Sequence, residues 1–104
     1  MRRKFVVLHK EMSEDQQKDF LAWLKDERVG WWHWLPGSWL IVDPDGQRKA
    51  EHFRNKLTAL GVERSLIFEV SDTTANNWAG RGPNGTGKNM FKWVKENWLQ
   101  APKK

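Results

Sequence analysis

Trp31-Trp32-His33-Trp34-Leu35-Pro36-Gly37-Ser38-Trp39-Leu40-Ile41-Val42 holds half of the chain's eight tryptophans, and its reading decides the fold. Two runs rich in aromatic and β-branched residues flank Pro36-Gly37, which is the pattern of a β-hairpin. Pro-Gly prefers a type II turn, whose twist suits a two-residue hairpin loop poorly, so a slightly longer loop with a bulge is an equal alternative. Tryptophan combines a large apolar surface with a single N–H donor. A cluster of it means either a heavily packed core edge or a flat stacking surface for a partner.

Working outward, Phe5-Val6-Val7-Leu8 is a short apolar run bounded by charge and reads as a buried strand. Ser13-Glu14-Asp15-Gln16 reads as a helix start. The serine hydroxyl accepts from the backbone N–H of the third helical residue while the glutamine side chain reaches back. Phe20, Leu21, Leu24 and Arg28 follow at helical spacing, with Trp23 at the margin and Gly30 as the expected stop. After the hairpin, Asp43-Pro44-Asp45-Gly46 is expected to open a second helix, with Pro tolerated in its first turn. Ala50, Phe53, Leu57 and Leu60 form its apolar stripe, and Gly61 closes it. Leu66 to Val70 completes a fourth strand, with Leu66, Phe68 and Val70 on one face and Ile67 on the other.

Strand, helix, strand, strand, helix, strand is the ferredoxin-like βαββαβ order, an α+β fold with a four-stranded antiparallel sheet. Its two helices share one sheet face and leave the other to be covered. Asn89 to Leu99 can cover it, with Phe91, Val94 and Trp98 at helical spacing and Met90 and Trp93 widening the stripe. A helix that short is not stable undocked. The 104 residues are expected to make one domain: a ferredoxin-like core over residues 1–76, then a basic Gly-rich loop and an extra C-terminal helix over 77–104.

The chain has no cysteine, which excludes disulfides, zinc knuckles and iron–sulfur sites. No apolar run spans a bilayer, and Phe5 to Leu8 is too short for a signal-peptide core, so a cytoplasmic location is expected. The net charge of +5 is unevenly placed: residues 1–76 carry twelve Lys/Arg and twelve Asp/Glu. Beyond them, Arg81, Lys88, Lys92, Lys95, Lys103 and Lys104 face Glu96 alone. Such asymmetry steers polyanions, although a solvated lysine-rich helix face is the commoner origin.

Gly82-Pro83-Asn84-Gly85-Thr86-Gly87-Lys88 matches the phosphate-loop spacing of two glycines followed by lysine. Asn89 stands where the motif needs a hydroxyl for magnesium, and the preceding strand ends near Val70, too early for a strand–loop–helix cradle. Nucleotide hydrolysis is therefore not expected. A flexible glycine-rich turn capping the last helix is the plainer reading, and the helix N-terminus with Arg81 and Lys88 as a phosphate-backbone contact is the lesser alternative. In the proposed topology His9 and His33 come to one sheet edge beside Ser38, Arg64 and Ser13, a set able in principle to cleave RNA by acid–base chemistry. Strand-end histidines that only bond to backbone are several times more common. His52 reads as helix surface. Glu11, Asp43, Asp45, Glu69 and Asp72 are scattered, with no metal-ligand spacing. Ser38 to Val42 lacks the signature with which RNA-recognition domains stack bases on their third strand, so packing accounts better for most of the tryptophans.

Trp31-Trp32-His33-Trp34-Leu35 followed by Ser38-Trp39-Leu40-Ile41-Val42 resembles a family of small bacterial and phage proteins usually labelled SinR-like. Trp78-Ala79-Gly80 and the Trp93 to Trp98 tail resemble that family's C-terminal segment. The family is similar in fold to the small CRISPR-associated endoribonuclease-like proteins, which are ferredoxin-like homodimers. The resemblance implies nucleic-acid association and homodimerisation. Where the relatives place an aspartate at the end of the first strand, this chain has Leu8-His9, so metal-dependent cleavage does not carry over. The leading expectation is a non-enzymatic, self-associating module without metal or cofactor, touching RNA or DNA phosphates through Arg81, Lys88, Lys92 and Lys95. The alternatives are a metal-independent endoribonuclease using His9 and His33, or a phage or defence protein-interaction factor.

Overall fold

Strand parity divides this small α+β structure into two cores. The computed structural model describes residues 1–71, 78–85 and 87–99. The chain runs through β1 (Arg3–His9), α1 (Glu14–Asp26), β2 (Gly30–Leu35), β3 (Ser38–Asp43), α2 (Ala50–Ala59), β4 (Ser65–Val70) and a π-helical turn, Val94–Trp98. The sheet order is β2-β3-β1-β4, with every neighbouring pair antiparallel. Central β1 sends Phe5 and Val7 to one face and Lys4 and Val6 to the other, as the two-residue period requires. On the first face Phe5, Val7, Trp39 and Ile41 are buried together with Phe20 and Leu24 of α1 and Phe53 and Leu57 of α2. Phe20 meets Trp39 edge-on at 5.1 Å between centroids, the arrangement that ring quadrupoles favour.

The helix start at Ser13 forms as the sequence pattern predicts. Gln16 N donates to Ser13 Oγ at 3.1 Å, and Ser13 N donates to Gln16 Oε1 at 2.9 Å. At the other end the expected stop moves: Gly30 belongs to β2, and Arg28 takes the left-handed conformation with φ +61°. Arg28 N reaches Lys25 O, and Val29 N reaches Leu24 O, closing a Schellman turn that buries Val29. Gly61 ends α2 in the same way, followed by buried Val62.

The second helix starts later than Asp43-Pro44-Asp45-Gly46 predicts. Asp43 ends β3 fully buried, and its carboxylate accepts from Arg48 Nη1 at 2.9 Å, Arg48 N at 2.8 Å and Asp45 N at 3.2 Å. Those bonds hold residues 44–49 in an irregular turn. Arg48 also donates to the Glu27 carboxylate and carbonyl, tying β3 to the end of α1. α2 begins at Ala50, and the exposed His52 caps it by accepting from Lys49 N at 2.7 Å.

The hairpin combines the two-residue loop of one expectation with the bulge of the other, and the loop is not lengthened. Leu35 faces Ser38 across a two-residue Pro36-Gly37 turn, with Gly37 at φ +79° as a type II turn demands. Trp32 faces Leu40, so His33 and Trp34 together oppose Trp39 in a bulge. The bulge supplies the right-handed twist that a type II turn lacks.

On the second face Trp32 and Val42 of the sheet are buried with Met90, Val94 and Trp98, while Val6, Leu40, Val70 and Phe91 pack at the margin. The covering segment is helical only from Lys92, not from Asn89. Met90 N donates to Pro83 O, and Asn89 Oδ1 caps Phe91 N, so these residues close the preceding loop. Trp32 Nε1 donates to Met90 O at 2.6 Å. The last carbonyls are held by the N-terminal basic run. Arg2 reaches the carbonyls of Asn97 and Trp98, and buried Lys4 reaches Trp98 O at 3.1 Å. Among the described residues no helix is long and apolar enough to cross a membrane.

Trp98 is enclosed, so Trp98→Ala is expected to cost roughly 3–5 kcal/mol in urea unfolding. A loss below about 1 kcal/mol would mean that the terminal segment is only loosely attached.

Candidate nucleic-acid interface

Packing fixes which side of the terminal segment meets solvent. Met90, Val94 and Trp98 point into the second core, and that turns Lys92 and Lys95 outward. Arg81 and Lys88 are exposed on the loop before them. None of the four makes an ion pair among the described residues. Lys88 precedes the helical residues, so it is a loop cation and does not belong to the helical face of Lys92 and Lys95 that the 88, 92, 95 spacing predicts for all three. Asp72, Thr86, Lys103 and Lys104 lie outside the described residues.

The Gly-rich loop is a closed turn. Asn84 and Asn89 bridge, Gly85 N donates to Lys88 O at 2.9 Å, and Met90 N donates to Pro83 O at 2.8 Å. A phosphate cradle needs such N–H groups free and aimed at one point. Here two of them are used to close the loop on itself, and no helix begins at Lys88.

His9 and His33 do meet, but through Trp39. The His33 ring stacks on the Trp39 indole at 3.7 Å between centroids and 6° between planes. Trp39 Nε1 donates to His9 Nε2 at 2.8 Å. An indole N–H only donates, so His9 carries its proton on Nδ1 and gives it to Lys10 O at 2.7 Å. His33 Nδ1 bonds to Ser38 O at 2.8 Å. Three of the four ring nitrogens are thus committed, and His33 Nε2 is left. The two rings also line different depressions, His9 with Arg64 and Ser65, His33 with Trp31, Trp34 and Trp93. Among the described residues no three His, Asp or Glu side chains converge as metal ligands.

Periodicity in the sequence does not reveal an apolar groove of about 490 Å³ on the second sheet face. Leu8, Leu35 and Leu40 form its sheet side, with Trp78, Arg81 and Phe91 opposite. Trp78 rests on Phe91 at 5.6 Å and keeps 38% of its surface exposed. It belongs to no periodic segment, and in the sequence only the resemblance of Trp78-Ala79-Gly80 singles it out. Beyond Leu8, edge strand β4 exposes Leu66 and Phe68, which flank the buried-side Ile67 as the alternation predicts. Comparison with known protein families, with curated proteins and with solved structures finds no match for this chain.

Burial holds the His33 imidazole below its usual 6.5, with His9 adding to the effect and the Ser38 carbonyl opposing it. The unfolded chain therefore takes up a proton near pH 6.5 while the folded one does not, and stability falls as pH drops through that window. His33→Gln is expected to flatten this stretch of the stability–pH curve, read as denaturation midpoints below pH 7. An unchanged slope would show that the ring is as free to protonate as in the unfolded chain.

Proposed function

We propose that the chain is a non-enzymatic, ferredoxin-like module that self-associates and binds nucleic-acid phosphates through its basic C-terminal segment. One observation carries this reading: four exposed cations with no ion-pair partner among the described residues lie on or just before a segment whose apolar side is anchored in a core. Such a segment presents its charge without first having to be ordered, and phosphate contacts of this kind need no base recognition. The six-element order, the sheet order β2-β3-β1-β4 and the packing of α1 and α2 on one face favour the ferredoxin-like description. The hairpin's resemblance to SinR-like proteins, and through them to small CRISPR-associated endoribonuclease-like homodimers, points the same way. Leu66 and Phe68, exposed on an edge strand with no proline or bulge, offer a surface for a second copy. The commitment of both His9 nitrogens favours a binding role over cleavage.

The test is oligonucleotide binding across a salt series. Lys92→Gln combined with Lys95→Gln is expected to weaken binding to all sequences alike and to lower the salt slope by roughly 1.5 units. If the double variant binds as the parent does at every salt concentration, these lysines are solvated surface. If no oligonucleotide binds at low salt, the basic segment serves an acidic protein partner instead.

A further inference from the structure

The groove beside Trp78 is built for a flat, apolar ring attached to an anion. Its lining is almost wholly apolar, with Trp78 and Phe91 on one wall and Leu8, Leu35 and Leu40 on the other. Among the described residues no acidic side chain lines it, and its charged group is the exposed guanidinium of Arg81. Trp78 is partly exposed, and its ring rests on Phe91. Lys88, Lys92 and Lys95 are exposed cations on the stretch that follows.

We propose that this groove takes the unstacked bases of a single-stranded polynucleotide, with Arg81 on the adjoining phosphate. The inference rests on the phosphate-binding reading above and narrows it to a substrate class. Charge complementarity selects the occupant: an uncharged apolar ligand has no use for Arg81, and a duplex keeps its bases stacked inside and brings only phosphates. A stacking wall with cations alongside is the arrangement by which proteins hold single strands without reading their sequence. Among the described residues its polar side-chain groups are Ser38, Arg81 and the tryptophan N–H donors, and none of them tells thymine from uracil by the 5-methyl group.

The test uses the full chain with four probes of about fifteen nucleotides, a length in the range that single-strand binders cover: oligothymidylate, oligouridylate, an abasic strand of equal charge, and a thymidylate–adenylate duplex. Both base-bearing single strands are expected to bind at least roughly fivefold more tightly than the abasic strand and the duplex. Trp78→Ala is expected to weaken them by roughly five- to hundredfold and to leave the abasic strand unaffected. Trp78→Phe, which keeps a stacking ring, should restore most of the loss. Arg81→Gln should lower affinity for all four probes. Circular dichroism of each variant separates a lost contact from a lost fold, and Trp78→Phe carries the test if the alanine variant unfolds. Equal binding of thymidylate and abasic strands, or equal weakening of both by Trp78→Ala, overturns base insertion and leaves the phosphate reading standing. No binding to any probe at low salt overturns both.

Discussion

Lys4 has no exposed surface, and its ammonium lies 3.1 Å from the carbonyl of Trp98 and 5.0 Å from that residue's ring. An ammonium taken out of water without partners costs several kcal/mol. Lys4 meets one of its partners at the C-terminal end of a helical turn, where backbone carbonyls concentrate negative charge, and another in the face of an indole. The dependence runs both ways. Without the turn, the buried ammonium loses a carbonyl and the face of an indole. Without the lysine, the turn's last carbonyls lose a donor. The attachment fixes the end of the segment whose Met90, Val94 and Trp98 fill the second core and turn Lys92 and Lys95 outward.

The tryptophan cluster serves two faces and two kinds of contact. Trp39 fills the first core and uses its N–H to fix the tautomer of His9 while lying flat against His33. Trp32, on the opposite face, uses its N–H to pin Met90. In each case the ring supplies apolar burial and the single donor supplies direction, which alone makes the position of a neighbour specific. Trp34, displaced by the bulge, stays exposed because two residues there share the space opposite one.

Much of this architecture was legible from local pattern. The alternation in the four strands, the Ser13–Gln16 cap and the two apolar stripes are short-range signals, and they survive in the structure because nothing remote competes with them. The misreadings come from side-chain and backbone choices that composition does not show. Asp43-Pro44-Asp45-Gly46 has the composition of a helix start, but Arg48, itself held by Glu27 at the end of α1, captures the aspartate and delays α2 to Ala50. Gly30 looked like a stop, yet Arg28 takes the left-handed position, and Gly30 lies against Val42 and Trp93. At the candidate site the exposure of Arg81, Lys88, Lys92 and Lys95 followed from charge balance. The groove did not, because its walls come from segments as far apart as Leu8 and Phe91. Nor did the capping role of Arg2 and Lys4, whose partners lie 94 to 96 residues away.

That separation has a consequence for the chain as it leaves the ribosome. Synthesis proceeds from the N-terminus, so the residues that bear the two basic caps are made long before the carbonyls they hold. Until residues 90–98 dock, Val6, Trp32, Leu40, Val42 and Val70 lack the cover that buries them. Exposed apolar strands of that kind are prone to aggregate, so the short terminal turn also ends the interval in which this sheet face is open to wrong contacts.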